Sequence, residues 1–182
     1  YKLALMFFVS VFFMLAGYTE VSAATLTQTP VDNWYYTRRG GGKPYMSAQW
    51  NLYDLDGKTA YCIEPGVNIT TSDYEGAIGW INSPYSDEVN RKIQLYGYYG
   101  YNYPGHENLR YRAAAQSLIW EATGGQIIEF WTERYGNGNF INLNAERNEI
   151  LRLASTHYEV PTFDSDTKDA VIGETTTFTD TK

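Results

Sequence analysis

The chain has 182 residues, 14 Lys and Arg against 21 Asp and Glu, and a formal net charge of −7. That length allows one full core and the beginning of another domain, and the acidic balance argues against general attraction to nucleic acid or an anionic membrane. With 17 Tyr and 5 Trp, the default role of each aromatic residue is core or half-buried scaffold.

Residues 1–24 read as a secretory signal peptide. Lys2 precedes an apolar run over residues 3–16, and Val21, Ser22 and Ala23 supply small residues for cleavage. The run is short for a membrane span, and no later one is long enough to cross a bilayer, so any wall-anchoring signal is expected beyond residue 182. Leu26, Val31, Trp34, Tyr35 and Tyr36 predict a segment leading into a strand over 25–37. Residues 38–44, with two Arg, three Gly, Lys43 and Pro44, predict a flexible basic loop. Residues 49–53 predict a strand, 54–58 a turn, and 59–63 a returning strand. On that strand Tyr61 and Ile63 share one face, and Cys62 points to the other. Glu64, Pro65 and Gly66 end it.

Residues 71–86 predict a partly helical connection. Ser86 then caps a helix on which Val89, Ile93 and Tyr96 recur before Gly97. Tyr98, Tyr99, Tyr101 and Tyr103 surround Gly100 and Asn102 as a packed aromatic loop; no basic stripe accompanies them, as a nucleic-acid stacking track would require. The next helix runs from near Asn108 through Ala122. Ala115, Leu118, Ile119 and Ala122 form its apolar centre, which puts Gln116, about 100 degrees round from Ala115, at the edge of the packed stripe. Trp120 follows one turn later, almost above Gln116, and Thr123, Gly124 and Gly125 end the helix. Residues 126–131 fit a short strand or another helix. Residues 135–139 read as a loop, and Asn144 as the cap of a last helix with Ile150, Leu151 and Ala154 on its apolar side. Residues 161–182, rich in Thr and acids, read as a linker, the start of a β-rich stalk, or an acidic tail.

Cys62 is the only cysteine, so it has no intrachain disulfide partner. A lone thiol in an exported chain calls for chemistry, burial or an intermolecular bridge. One such chemistry is a bond to the side-chain carbonyl of Gln116 with loss of ammonia, giving a thioester.

Tyr61, Cys62 and Ile63, followed at a domain-sized separation by Ala115, Gln116, Ile119 and Trp120 with Gly124 closing the helix, resemble the thioester domain of Gram-positive surface adhesins. The second half of the family's pattern often begins with Thr, where this chain has Ala115. The resemblance covers residues 28–160 and implies an α+β fold with a β-rich core and a helical subdomain. It divides the chain into a signal peptide (1–24), a thioester adhesin domain (25–160) and a linker or truncated β stalk (161–182). It further implies that Cys62 and Gln116 form the thioester, with Tyr61, Ile63, Ala115, Ile119 and Trp120 supporting or shielding it. A host surface or matrix protein would be captured through a lysine or other amine as a Gln116-linked amide. Such capture is single-use and lacks turnover. The expected location is extracellular or on the cell wall.

His106 and His157 are the only histidines, and sequence spacing assigns neither as an activating base. Two separated histidines, one cysteine and scattered acids make no compact metal-ligand pattern, and no cofactor is implied. Two alternatives stand beside the main reading: a noncovalent surface adhesin with an inert buried Cys62, and a cysteine hydrolase or transferase pairing Cys62 with a histidine. The latter requires an imidazole within hydrogen-bond reach of the thiol.

Overall fold

The longest strand, β1 (Ala24–Gly40), is the axis of the sheet. A computed structural model describes residues 24–42, 45–67, 73–74, 83–158, 164–165, 167–168, 173 and 175–179. Of the expected signal peptide only Ala24 falls within them, and most of the 71–86 connection lies outside them.

β1 pairs antiparallel with β2 (Met46–Leu55) on one side and β5 (Gln126–Trp131) on the other. β3 (Lys58–Ala60) and β6 (Phe140–Ile141) are the outer strands, giving the order β3-β2-β1-β5-β6; β4 (Asp73–Tyr74) pairs with the start of β1. The β1–β2 register shifts between Pro30 and Tyr35, where Asn33 adopts a positive φ of 59°. A proline cannot donate to a ladder, so an irregularity there is the expected accommodation.

β1 extends through Arg38, Arg39 and Gly40, which were expected to belong to a basic loop. Their backbone groups pair with Ile128, Ile127 and Gln126, and this long-range pairing overrides the local turn composition. Residues 126–131 are therefore a strand. Gln126, Ile128 and Phe130 are buried while Ile127 is exposed, the alternation of a half-buried strand. Between β2 and β3, Asp56 (φ 49°) and Gly57 (φ 74°) form a two-residue turn with positive φ at both positions, the backbone that an Asp-Gly hairpin favours.

Among the described residues three α-helices form a layer whose central member packs on the sheet. α1 (Asp87–Tyr98) starts at Ser86, whose hydroxyl accepts from Val89 N–H. α2 (Leu109–Gly124) is capped by Asn108, which accepts from the N–H groups of Arg110 and Tyr111, and it ends on Gly125 in the left-handed region. α3 (Asn144–Thr156) starts one residue earlier than expected: Leu143 is the cap position, and the Asn142 side chain accepts from Asn144 N–H. Ile150 is fully buried, but Leu151, expected beside it, is 38% exposed. Leu153 packs on the core with Ala154.

α2 is the central helix, packing against α1, α3 and β5. Residues 112–120 are buried without interruption, as in a helix surrounded on all sides. Its alanines, Ala113, Ala114 and Ala115, have no exposed surface and allow close approach of neighbouring backbone. Arg147 ties α3 to α2, donating to Ser117 Oγ and to both Glu121 carboxylate oxygens; Glu121 in turn accepts from Ile128 N–H of β5. On the sheet side Trp34, Trp50 and Phe130 meet edge to face or tilted, at 5.2–5.7 Å. The result is an α+β architecture with a β-rich core and a separate helical layer.

Beyond residue 163, Asp164 N–H donates to Thr179 O, and Lys168 Nζ reaches both Asp164 and Thr177 O. The described residues of that segment contain no strand.

Candidate functional site

β3 ends at Ala60, so Cys62 lies just past the strand rather than within it. The chain there is held by Tyr61, whose hydroxyl accepts from Tyr101 N–H at 3.1 Å, and by the carbonyl of Ile63, which accepts from Thr123 Oγ1 at 2.8 Å. These contacts fasten the segment on both sides of Cys62 to the α1–α2 loop and to the end of α2.

Cys62 and Gln116, 54 residues apart, meet at the seam between this segment and α2. Cys62 N–H donates to Gln116 Oε1 at 3.0 Å, and Gln116 Nε2–H donates back to Cys62 O at 2.6 Å. The carboxamide is thus fixed by both ends against one residue's backbone. Gln116 is only 2% exposed, deeper than the stripe-edge position expected for it, because α2 is enclosed on every side rather than on one. Cys62 is 8% exposed.

The Cys62 thiol donates to Glu64 O at 3.2 Å. Burial pushes its pKa up, opposed by a hydrogen bond from the Glu64 backbone and by the indole of Trp120. Trp120 is 3% exposed, and its Nε1–H has no fully formed hydrogen bond. Its ring packs on Tyr36 at 4.7 Å between centroids. Burial also raises Tyr36, to about 12, with the neighbouring Cys62 adding to the effect. Tyr53 shifts in the same direction for the same two reasons.

Of the other residues expected to support the pair, Ala115 and Ile119 lie in α2 and Ile63 follows Cys62. Ala115 is fully buried against the α1–α2 loop, where a Cβ built on Gly100 would come 2.7 Å from the Ala115 Cβ and 2.5 Å from Tyr61 Oη. Ile119 is fully buried in α2. Arg112, one turn before Gln116, donates to Tyr53 O and Asp54 Oδ1 at 2.6 and 3.0 Å. It pins the helix to the strand that leads toward Cys62.

Neither histidine pairs with the thiol. His106 Nδ1 is 2.8 Å from Tyr99 O and its ring stacks on Tyr111; His157 Nδ1 is 2.8 Å from Tyr99 Oη. Both belong to the aromatic cluster of the α1–α2 loop. Among the described residues no group of three His, Cys, Asp or Glu side chains is arranged to hold a metal ion.

Tyr36, Trp50 and Tyr53 come to the site from β1 and β2, and sequence reasoning did not single them out. Trp50 and Tyr53 fall in a segment expected as a strand and Tyr36 in one leading to a strand, but the register that brings them to Cys62 depends on pairing between distant segments.

A family model for the thioester domain matches residues 59–156, a span that holds Cys62, Gln116 and the helices α1, α2 and α3. No curated protein and no solved structure matches the chain.

Proposed function

The chain belongs to the thioester-domain family, and from that premise we propose that Cys62 and Gln116 join in a thioester that captures a host amine covalently. Membership supports a general adhesin and thioester-bond function at the cell surface, and it is consistent with single-use attachment rather than turnover. Among the described residues no helix is long and apolar enough to cross a membrane.

The observation that carries the reading is the reciprocal hydrogen bonding of the Gln116 carboxamide to the Cys62 backbone. It removes the orientational search between two distant groups, which is a large part of the barrier to a reaction of this kind. Cys62 N–H is a donor on the oxygen that becomes an oxyanion when sulfur adds to Gln116 Cδ. The S–Cδ bond forms, the Cδ–Nε2 bond breaks, and the thiol proton leaves with ammonia. In the second stage an amine nitrogen bonds to Cδ, the Cδ–Sγ bond breaks, and the amine proton ends on Cys62. The product is an amide at Gln116 and a free thiol.

Intact mass tests this. Wild-type protein should weigh about 17 Da less than its sequence mass, with no deficit in Cys62→Ala or Gln116→Ala. A small primary amine should remove the deficit and add its own mass at Gln116. The noncovalent reading is favoured by one observation, the burial that keeps Cys62 protonated, and it predicts full sequence mass in freshly prepared wild type. The hydrolase reading lacks its imidazole, since both histidines are engaged with Tyr99.

A further inference from the structure

A buried thioester needs a route by which the amine arrives, and a cavity of ≈ 90 Å³ lies directly against Cys62. It is lined on the sheet side by Tyr36, Trp50 and Tyr53, on the helix side by Trp120, and toward the surface by Gly66 and Val67. Val67 is 53% exposed and stands where the cavity meets solvent.

Three properties of this space define what fits. A water needs about 10–15 Å³ of such volume, so the cavity has room for the few heavy atoms of a short alkyl chain and little beyond them. Among the described residues no Asp, Glu, Lys or Arg lines it; its polar groups are amides, phenols, indoles and the Cys62 thiol. An ammonium entering here would shed its hydration without meeting a carboxylate, which favours the uncharged amine. Finally, the buried Nε1–H of Trp50 lacks a hydrogen-bond partner. An ammonium, a donor only, cannot satisfy it, whereas a neutral amine has a lone pair to offer.

Building on the thioester reading above, we propose that this cavity is the amine-access site and admits an unbranched primary alkylamine, such as the end of a lysine side chain, in its uncharged form. The lone pair that is excluded from an ammonium is also the pair that attacks Cδ. The cavity therefore selects the reactive form as it selects the shape.

The test uses the 182-residue chain without its signal segment, followed by intact mass in two amines of like nucleophilicity, n-butylamine and cyclohexylmethylamine. Each rate is normalised to the same amine's rate with a small-molecule thioester. The expected result is that n-butylamine adds about tenfold faster or more, the scale on which an apolar pocket discriminates size. Val67→Phe, at an exposed position that tolerates bulk, should keep the mass deficit while slowing n-butylamine by a similar factor. Equal normalised rates, with Val67→Phe reacting like wild type and the deficit intact, would overturn the access site and leave the thioester standing. A wild type without any deficit would instead overturn the thioester reading, and the access site with it.

Discussion

At the scale of single residues, Trp120 would act on the proposed bond through its N–H as well as by covering it. Its ring lies on Tyr36, and its indole favours the ionised Cys62 that burial opposes. Sulfur is the attacking group when the thioester forms and the leaving group when it opens, so a donor to sulfur acts on both steps. Trp120→Phe keeps most of the ring and removes the N–H. A hydrogen bond to a charged group contributes roughly 1.5–3 kcal/mol, so amine opening should slow by about 10- to 100-fold. Hydrolysis expels the same thiolate and should slow as well. A pure shielding role gives the opposite sign, because a thinner cover admits water and hydrolysis rises. Time courses of intact mass in buffer and in methylamine separate the two.

At the scale of elements, the site depends on how closely the α1–α2 loop presses on α2 and on the segment after β3. Gly100 makes that approach possible: an added Cβ would meet Tyr61 Oη at 2.5 Å, Ala115 Cβ at 2.7 Å and Tyr96 O at 3.0 Å. Tyr61 and Ala115 are the chain neighbours of Cys62 and Gln116. Gly100→Ala should therefore cost about 1–3 kcal/mol by overpacking, read from urea unfolding, and lower the fraction of protein showing the mass deficit. Full linkage at a wild-type unfolding midpoint would show that the loop does not set the approach. Elements with local signals were legible in the sequence. Ser86, Asn108 and Gly125 bound their helices through caps that involve only nearby backbone, and Asp56-Gly57 specifies its own turn. What was not legible depends on distant partners. Arg38 and Arg39 read as loop until β5, about ninety residues on, supplies their ladder. Cys62 read as strand because nothing local shows that pairing stops at Ala60. The pair Cys62 and Gln116 was legible as motif, but the depth of Gln116 was not, since burial on every side of α2 is decided by α1, α3 and the sheet together.

At the scale of the whole molecule, the family match begins at residue 59, yet the site draws Tyr36, Trp50 and Tyr53 from strands before it. The buried seam is thus shared between β1, β2 and α2, and its titration reports on the fold as a unit. Tyr36 is raised from 10.0 to about 12, and Cys62 is raised above its ordinary 9.0, both chiefly by burial. Folded protein keeps these protons over a range in which unfolded chain has lost them. Unfolded chain then binds fewer protons, so stability falls as pH rises. The contribution is fully present below each group's ordinary value and is lost through the interval up to its folded value. For Tyr36 the loss runs from about pH 10 to about pH 12 and amounts to roughly 2–3 kcal/mol. Comparing two unlinked variants isolates the thiol: Gln116→Ala retains Cys62, whereas Cys62→Ala does not. Urea midpoints measured from pH 7 upward should decline in Gln116→Ala from about pH 9, ahead of Cys62→Ala, and both should decline above pH 10 as Tyr36 titrates. Parallel curves through pH 9–10 would mean that Cys62 ionises in the folded protein as readily as in the unfolded chain. The thiol would then be more reactive than its burial indicates, with the groups that favour the thiolate, Trp120 among them, offsetting that burial in full.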